Sequence, residues 1–109
     1  MSATISTHVL DATTGVPAAG VPVILERRLP GGGWATAGRG STDADGRLRF
    51  AEALEEGTFR LTFGTGDYFA ALGVPSFYPE VTVTFTVVAG HYHVPLLLSP
   101  YAYSTYRGS

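Results

Sequence analysis

The sequence predicts an all-β fold, a sandwich of two packed four-stranded sheets with one short helix. Short segments of alternating apolar and polar residues recur along the chain, Gly, Pro and Asp punctuate them, and helical spacing is nearly absent. With 109 residues, 45% of them hydrophobic and 15% charged, the chain fits a single domain, residues 1–109, with one core.

Taken in order, the expected strands are Thr4–Asp11, Val21–Leu29, Trp34–Gly40, Arg47–Phe50, Thr58–Thr65, Val81–Val88, His91–Ser99 and a short last one from Tyr101 to about Tyr106. The stretch from Ala12 to Pro22 carries too much Gly and Pro to continue a strand and reads as a loop. Pro30-Gly31-Gly32-Gly33 is a hairpin-type connection, and Asp43-Ala44-Asp45-Gly46 is a turn whose glycine can take a positive φ; both should join neighbouring strands. The one helix is expected over Gly66–Gly73, capped by Asp67, with Phe69 and Leu72 on one face and Gly73 and Pro75 ending it.

Composition removes several chemistries. All seven basic residues are Arg, scattered along a chain of formal charge −2, so neither a Schiff-base lysine nor a track for nucleic acid is present. Cysteine is absent, which excludes disulfides, thiolate nucleophiles and thiolate metal ligands. No apolar run is long enough to span a bilayer and the N-terminus lacks a signal-peptide pattern, so no membrane association and a cytoplasmic location are expected.

The densest polar signal is His91-Tyr92-His93, where a period of two puts both imidazoles on one face of a strand. Such a pair can be surface histidines or the start of a zinc site, and zinc would need further ligands. His8 is the only other histidine; Ser6, His8 and Leu10 share a face, so the three rings converge if the two strands are neighbours. No Gly-x-Ser-x-Gly elbow supports a serine nucleophile, and Glu52, Glu55 and Glu56 read as a solvated loop rather than a glycosidase pair. The tail carries Tyr101, Tyr103, Tyr106 and Arg107, which either pack at an edge or subunit contact or line a pocket.

Three stretches carry a resemblance: His8-Val9-Leu10-Asp11, Thr42-Asp43-Ala44-Asp45-Gly46-Arg47, and His91-Tyr92-His93-Val94-Pro95-Leu96-Leu97-Leu98-Ser99-Pro100 running on to Tyr103-Ser104-Thr105-Tyr106-Arg107-Gly108-Ser109. Together they resemble the 5-hydroxyisourate hydrolases of the transthyretin-like family, and the resemblance covers essentially the whole chain. It implies a transthyretin-like (prealbumin-like) sandwich that assembles as a homotetramer, a dimer of dimers with active sites at the dimer–dimer interface. The implied reaction is hydrolysis of 5-hydroxyisourate, a purine-derived small molecule, to 2-oxo-4-hydroxy-4-carboxy-5-ureidoimidazoline in urate degradation, with no cofactor and no metal. It also implies catalytic roles for His8, Arg47 and His93, and substrate contacts from His8, Arg47, Tyr106 and Ser109. In that reading the two histidines activate water and assist the leaving nitrogen, Arg47 steadies the developing oxyanion, and His91 and Arg107 are supporting residues. The hormone carrier of the same fold has other residue types at the positions of His8, Arg47, His93 and Tyr106, which distinguishes hydrolase from carrier.

Overall fold

Alternation in the first strand decides which face of the molecule is core and which is open. A computed structural model describes residues 2–108. In strand β1 (Ala3–Asp11), Ala3, Ile5, Thr7, Val9 and Asp11 are buried while Thr4, Ser6, His8 and Leu10 lie on the other face. The chain continues through β2 (Val16–Pro17), β3 (Pro22–Arg28), β4 (Trp34–Ser41), β5 (Arg47–Leu54), β6 (Gly57–Phe63), α1 (Thr65–Ala71), β7 (Val81–Val87), β8 (Gly90–Ser99) and β9 (Ala102–Thr105).

One sheet runs β2-β1-β8-β9 with β5 also paired to β1, and the other runs β4-β3-β6-β7. β1 and β8 are parallel, in register from Ala3↔Gly90 to Asp11↔Leu98, whereas the second sheet is antiparallel throughout. Ile5, Val9, Leu96 and Leu98 from the first sheet meet Val23, Leu25, Phe59, Leu61 and Phe63 from the second in a fully buried core. Burying side chains of this kind contributes about 1.5–3 kcal/mol each, so the core sets the sandwich and the opposite face of the first sheet is left free for polar groups.

Two expectations about local structure change. The segment read as a loop contains β2, which pairs with the end of β1 through Leu10↔Pro17 and Asp11↔Val16 and makes the first sheet five-stranded. Pro is tolerated there because the strand is short and at an edge. The Asp43–Gly46 turn does not close a hairpin: it carries the chain from β4 in one sheet to β5 in the other, because β5 finds its hydrogen-bond partner in β1.

The helix starts earlier than expected. Its N-cap is Gly64 with no side-chain cap, and Asp67 lies in the first turn instead. Packing sets this start: the Gly66 N–H donates to the Pro79 carbonyl at 3.0 Å, and a Cβ on Gly66 would come within 2.7 Å of that oxygen. Phe69 is buried, but Leu72 at the C-cap is exposed, so the two do not share a core face. Tyr68 ties the helix to β1, its hydroxyl donating to Asp11 Oδ2 at 2.9 Å. Burial and the neighbouring Asp11 carboxylate push the Tyr68 phenol up to about 12, so it stays a donor.

Gly46 shows how tightly the crossing turn is built. Its φ is +75°, and an added Cβ would lie 2.4 Å from the Val9 carbonyl oxygen. Asp43 Oδ1 accepts from the backbone N–H of Asp45 and of Arg47, fixing where β5 begins. Gly46→Ala is expected to lower stability by at least about 1–3 kcal/mol, the usual cost of a left-handed non-glycine residue, with the clash added. Urea unfolding of the two proteins checks this, and an unchanged midpoint would contradict the account of the turn.

Candidate active site

The outer face of the first sheet gathers the polar residues that the sequence scattered. Antiparallel pairing of β5 with β1 sets Arg47 opposite His8 and Arg49 opposite Ser6. Parallel pairing of β1 with β8 sets Ser6 beside His93, Thr4 beside His91, and His8 beside Pro95. With neighbouring strands about 4.7–4.9 Å apart, the face carries an Arg47–His8–Pro95 row above an Arg49–Ser6–His93 row.

Side-chain hydrogen bonds then orient the rings. Ser6 Oγ lies 2.8 Å from His93 Nδ1 and 2.9 Å from His91 Nε2, while Thr4 Oγ1 lies 2.6 Å from His91 Nδ1. His93 is half-buried and His91 exposed. A cleft of about 250 Å³ opens over this corner, lined by Ser6, Asp43, Arg47, Arg49 and His93 among others. Partial burial, followed by the nearby His8, His91 and Arg47, holds the His93 imidazole below its ordinary range, so near neutral pH the ring keeps a lone pair.

The chain end is anchored to this corner. β9 pairs with β8 from Leu96↔Thr105 to Ser99↔Ala102, Thr105 Oγ1 donates to the Pro95 carbonyl at 2.7 Å, and the Gly108 N–H donates to the His93 carbonyl at 2.8 Å. Continuing that register to the bridge His93↔Gly108 places Tyr106 opposite Pro95, in the row of His8 and Arg47. Gly108 lies against His93 so closely that a Cβ there would sit 2.7 Å from His93 Cδ2. Of the other tail residues, Tyr103 packs edge-on against Tyr78, and the Arg107 guanidinium lies 4.5 Å over the Tyr92 ring. Ser109 lies outside the described residues.

A second cavity of about 280 Å³ lies between the sheets, bordered by Val83, Phe85, Tyr92, Val94, Tyr106 and Arg107. It is the more apolar of the two, and no histidine lines it. Among the described residues, no group of three His, Cys, Asp or Glu side chains is placed to hold a metal ion. His8, Arg47 and His93 are thus brought to one face, whereas Tyr106, opposite Pro95 by register, borders the apolar cavity. Arg49 and Asp43, which line the same cleft, were not singled out; the signal for Arg49 was its i+2 spacing from Arg47 on a strand.

Fold and site define a class: a two-sheet sandwich with imidazole and guanidinium groups on one sheet face. Comparison with known proteins narrows it. Residues 5–108 match the HIUase/Transthyretin family. A 5-hydroxyisourate hydrolase of Caulobacter vibrioides is 47% identical over 96% of this chain and 97% of its own length, and one of Salmonella typhi is 46% identical over 96% and 80%. Among solved structures, Klebsiella pneumoniae 5-hydroxyisourate hydrolase superposes with a TM-score of 0.88 at 40% identity, covering 98% of this chain and 94% of that one. Sea bream transthyretin in complex with thyroxine reaches 0.90 at 29% identity, covering 95% and 93%. The chain belongs to the HIUase/Transthyretin family, and its relatives across nearly the full length place it among the hydrolases.

Two outcomes check the geometry. NMR titration of the ring should give His93 a midpoint below that of an unperturbed imidazole, and Arg47→Gln should raise it by removing a neighbouring cation. The sign for folding follows: because the folded state disfavours the charged ring, the contribution of His93 is present above the ordinary imidazole pKa and is lost as pH falls through it toward the lower folded value. Gly108→Ala is expected to displace the His93 ring, shifting its imidazole resonances while far-ultraviolet circular dichroism stays unchanged; unmoved resonances would contradict the close packing.

Proposed function

We propose that this protein hydrolyses 5-hydroxyisourate to 2-oxo-4-hydroxy-4-carboxy-5-ureidoimidazoline in urate degradation, using His8, Arg47 and His93 and no cofactor. The observation that carries the reading is the juxtaposition of a ring held below its ordinary pKa, His93, with the Arg47 side of the same cleft. Full-length relatives named for this reaction support the choice of substrate.

His93 Nδ1 is engaged by Ser6 at 2.8 Å, so Nε2 is the atom available to take a proton from water. The water oxygen then attacks the ring carbonyl, and negative charge gathers on the carbonyl oxygen. Arg47, a fixed cation with a planar fork of donors, is set across the ladder from His8 to receive that charge. His8, on the same row, orients the water and the departing ring nitrogen, which takes up the proton that His93 received from the water. Tyr106, at the end of that row, and Ser109 bound the substrate, while Arg107 anchors the tail against Tyr92.

The site belongs to an assembly in this reading. A homotetramer, a dimer of dimers, would set two such faces against each other so that a facing subunit roofs each cleft and excludes water. The polar outer face of the first sheet, with His8 and His93 only half-buried, supports this. Each chain contributes one domain, residues 1–109.

The decisive assay follows the ultraviolet absorbance of freshly generated 5-hydroxyisourate. Decay faster with protein than without is expected, and equal rates would remove the proposal. His93→Ala and Arg47→Ala should each lower kcat by at least roughly 100-fold, corresponding to about 3 kcal/mol of transition-state stabilisation. Because the active form carries neutral His93, kcat should fall on the acid side with an inflection below the ordinary imidazole value. Light scattering should give four chains per particle, and a fully active monomer would contradict the roofed site.

A further inference from the structure

Ser6 has a place that water activation by His93 does not by itself explain. Its single hydroxyl bridges two imidazoles, with Oγ 2.8 Å from His93 Nδ1 and 2.9 Å from His91 Nε2, and the line continues from His91 Nδ1 to Thr4 Oγ1 at 2.6 Å. It leads from a half-buried ring in the cleft to an exposed ring at the sheet surface.

A hydroxyl carries one proton and a neutral imidazole carries one, so the line can be polarised in two ways. In the first, His93 Nδ1–H donates to Ser6, Ser6 donates to His91 Nε2, and His91 Nδ1–H donates to Thr4, leaving His93 Nε2 a bare lone pair. In the second every bond is reversed, and His93 Nε2 carries a proton. Both arrangements satisfy every link. The first makes His93 a base and the second makes it an acid.

We propose that Ser6 and His91 are positioning residues forming a proton relay, which lets His93 act first as base and then as acid without holding a full positive charge in the cleft. This rests on the assignment of His93 made above. As the water oxygen bonds to the substrate carbonyl carbon, one water proton passes to His93 Nε2. The Nδ1 proton moves to Ser6 Oγ, and the Ser6 proton moves to His91 Nε2. When the carbon–nitrogen bond breaks, its electron pair stays on nitrogen, which takes the proton from His93 Nε2. His91 then returns a proton to Ser6, and Ser6 returns one to His93 Nδ1, restoring the start. The second water proton remains with the new carboxyl group and leaves to solvent on ionisation.

The surroundings explain why the charge moves outward. The groups facing His93 are His8 from β1, His91 from β8, and Arg47 and Arg49 from β5, with Arg107 on the inner side over Tyr92. Asp43 is the carboxylate lining this cleft, and its Oδ1 is already shared by two backbone donors. An imidazolium at His93 is thus poorly solvated among cations, whereas one at exposed His91 meets water.

The test uses the full chain and the 5-hydroxyisourate absorbance assay, with kcat and KM measured across pH for wild type, Ser6→Ala, Ser6→Thr, His91→Ala, the Ser6→Ala/His91→Ala double variant and His93→Ala. Ser6→Ala and His91→Ala should each lower kcat by about 10- to 100-fold with KM little changed, the scale of an acid–base contribution. Both should shift the acid limb of the profile, the double variant should lose no more than the worse single, and Ser6→Thr, which keeps the hydroxyl, should recover most of the rate. Wild-type kcat in either single variant, a loss with an unmoved acid limb, or losses that multiply in the double variant would overturn the relay. If His93→Ala is inactive while Ser6 and His91 variants are unaffected, only the relay fails; if His93→Ala is fully active, the assignment of His93 fails with it.

Discussion

The parallel ladder between β1 and β8 is the constraint on which the rest of the molecule depends. It joins the start of the chain to a strand some eighty residues later, pairing Ala3 with Gly90 and keeping register to Asp11 and Leu98. One step of slippage would turn every side chain of one strand to the opposite face. The pairs on the inner face, Ile5 with Tyr92 and Val9 with Leu96, are buried, so hydrophobic burial holds the register that the outer face then uses. The alignment of Ser6 with His93 and of Thr4 with His91 is a by-product of core packing.

Secondary constraints tighten the same corner. The Asp43–Gly46 turn delivers β5 to the free edge of β1 and so brings Arg47 to His8, even though β5 follows a strand of the other sheet. The tail, held by β9 and by the Gly108 bridge, presses on His93 from the other side. Three segments distant in sequence therefore meet around one imidazole, and each is fixed by backbone hydrogen bonds rather than by long flexible side chains. Preorganisation of this kind is what lets a site stabilise a transition state without rearranging at the moment of reaction.

Electrostatics give this corner its character. Arginine and histidine gather on a face of a chain whose formal charge is −2, so the positive field is local rather than a property of the whole protein. Partial burial, reinforced by that concentration, lowers the His93 pKa and makes a neutral imidazole available beside a permanent cation. A hydrolase and a transthyretin superpose on this sandwich almost equally well, so the fold alone does not separate the two kinds of protein.

Much of the fold was legible in the sequence because strand alternation is a local signal, read from residue to residue: the alternation of β1 and the pairing of His91 and His93 on one face needed no partner to be seen. The short strand β2 was hidden, since two residues carry no period, and the helix start was misplaced because Gly66 and Pro79 set it through a tertiary contact. The site residues themselves were reached by resemblance; bottom-up, Arg47 was only an arginine after a turn. By itself the sequence determined the chemistry available: histidine, arginine and tyrosine, with no cysteine or lysine. Only the tertiary structure decided which of these meet, that Ser6 bridges His91 and His93, that Arg49 joins the cleft and that Gly108 packs on His93. The physical reason is that cross-strand register depends on burial across the whole sandwich, and no local window of sequence contains it.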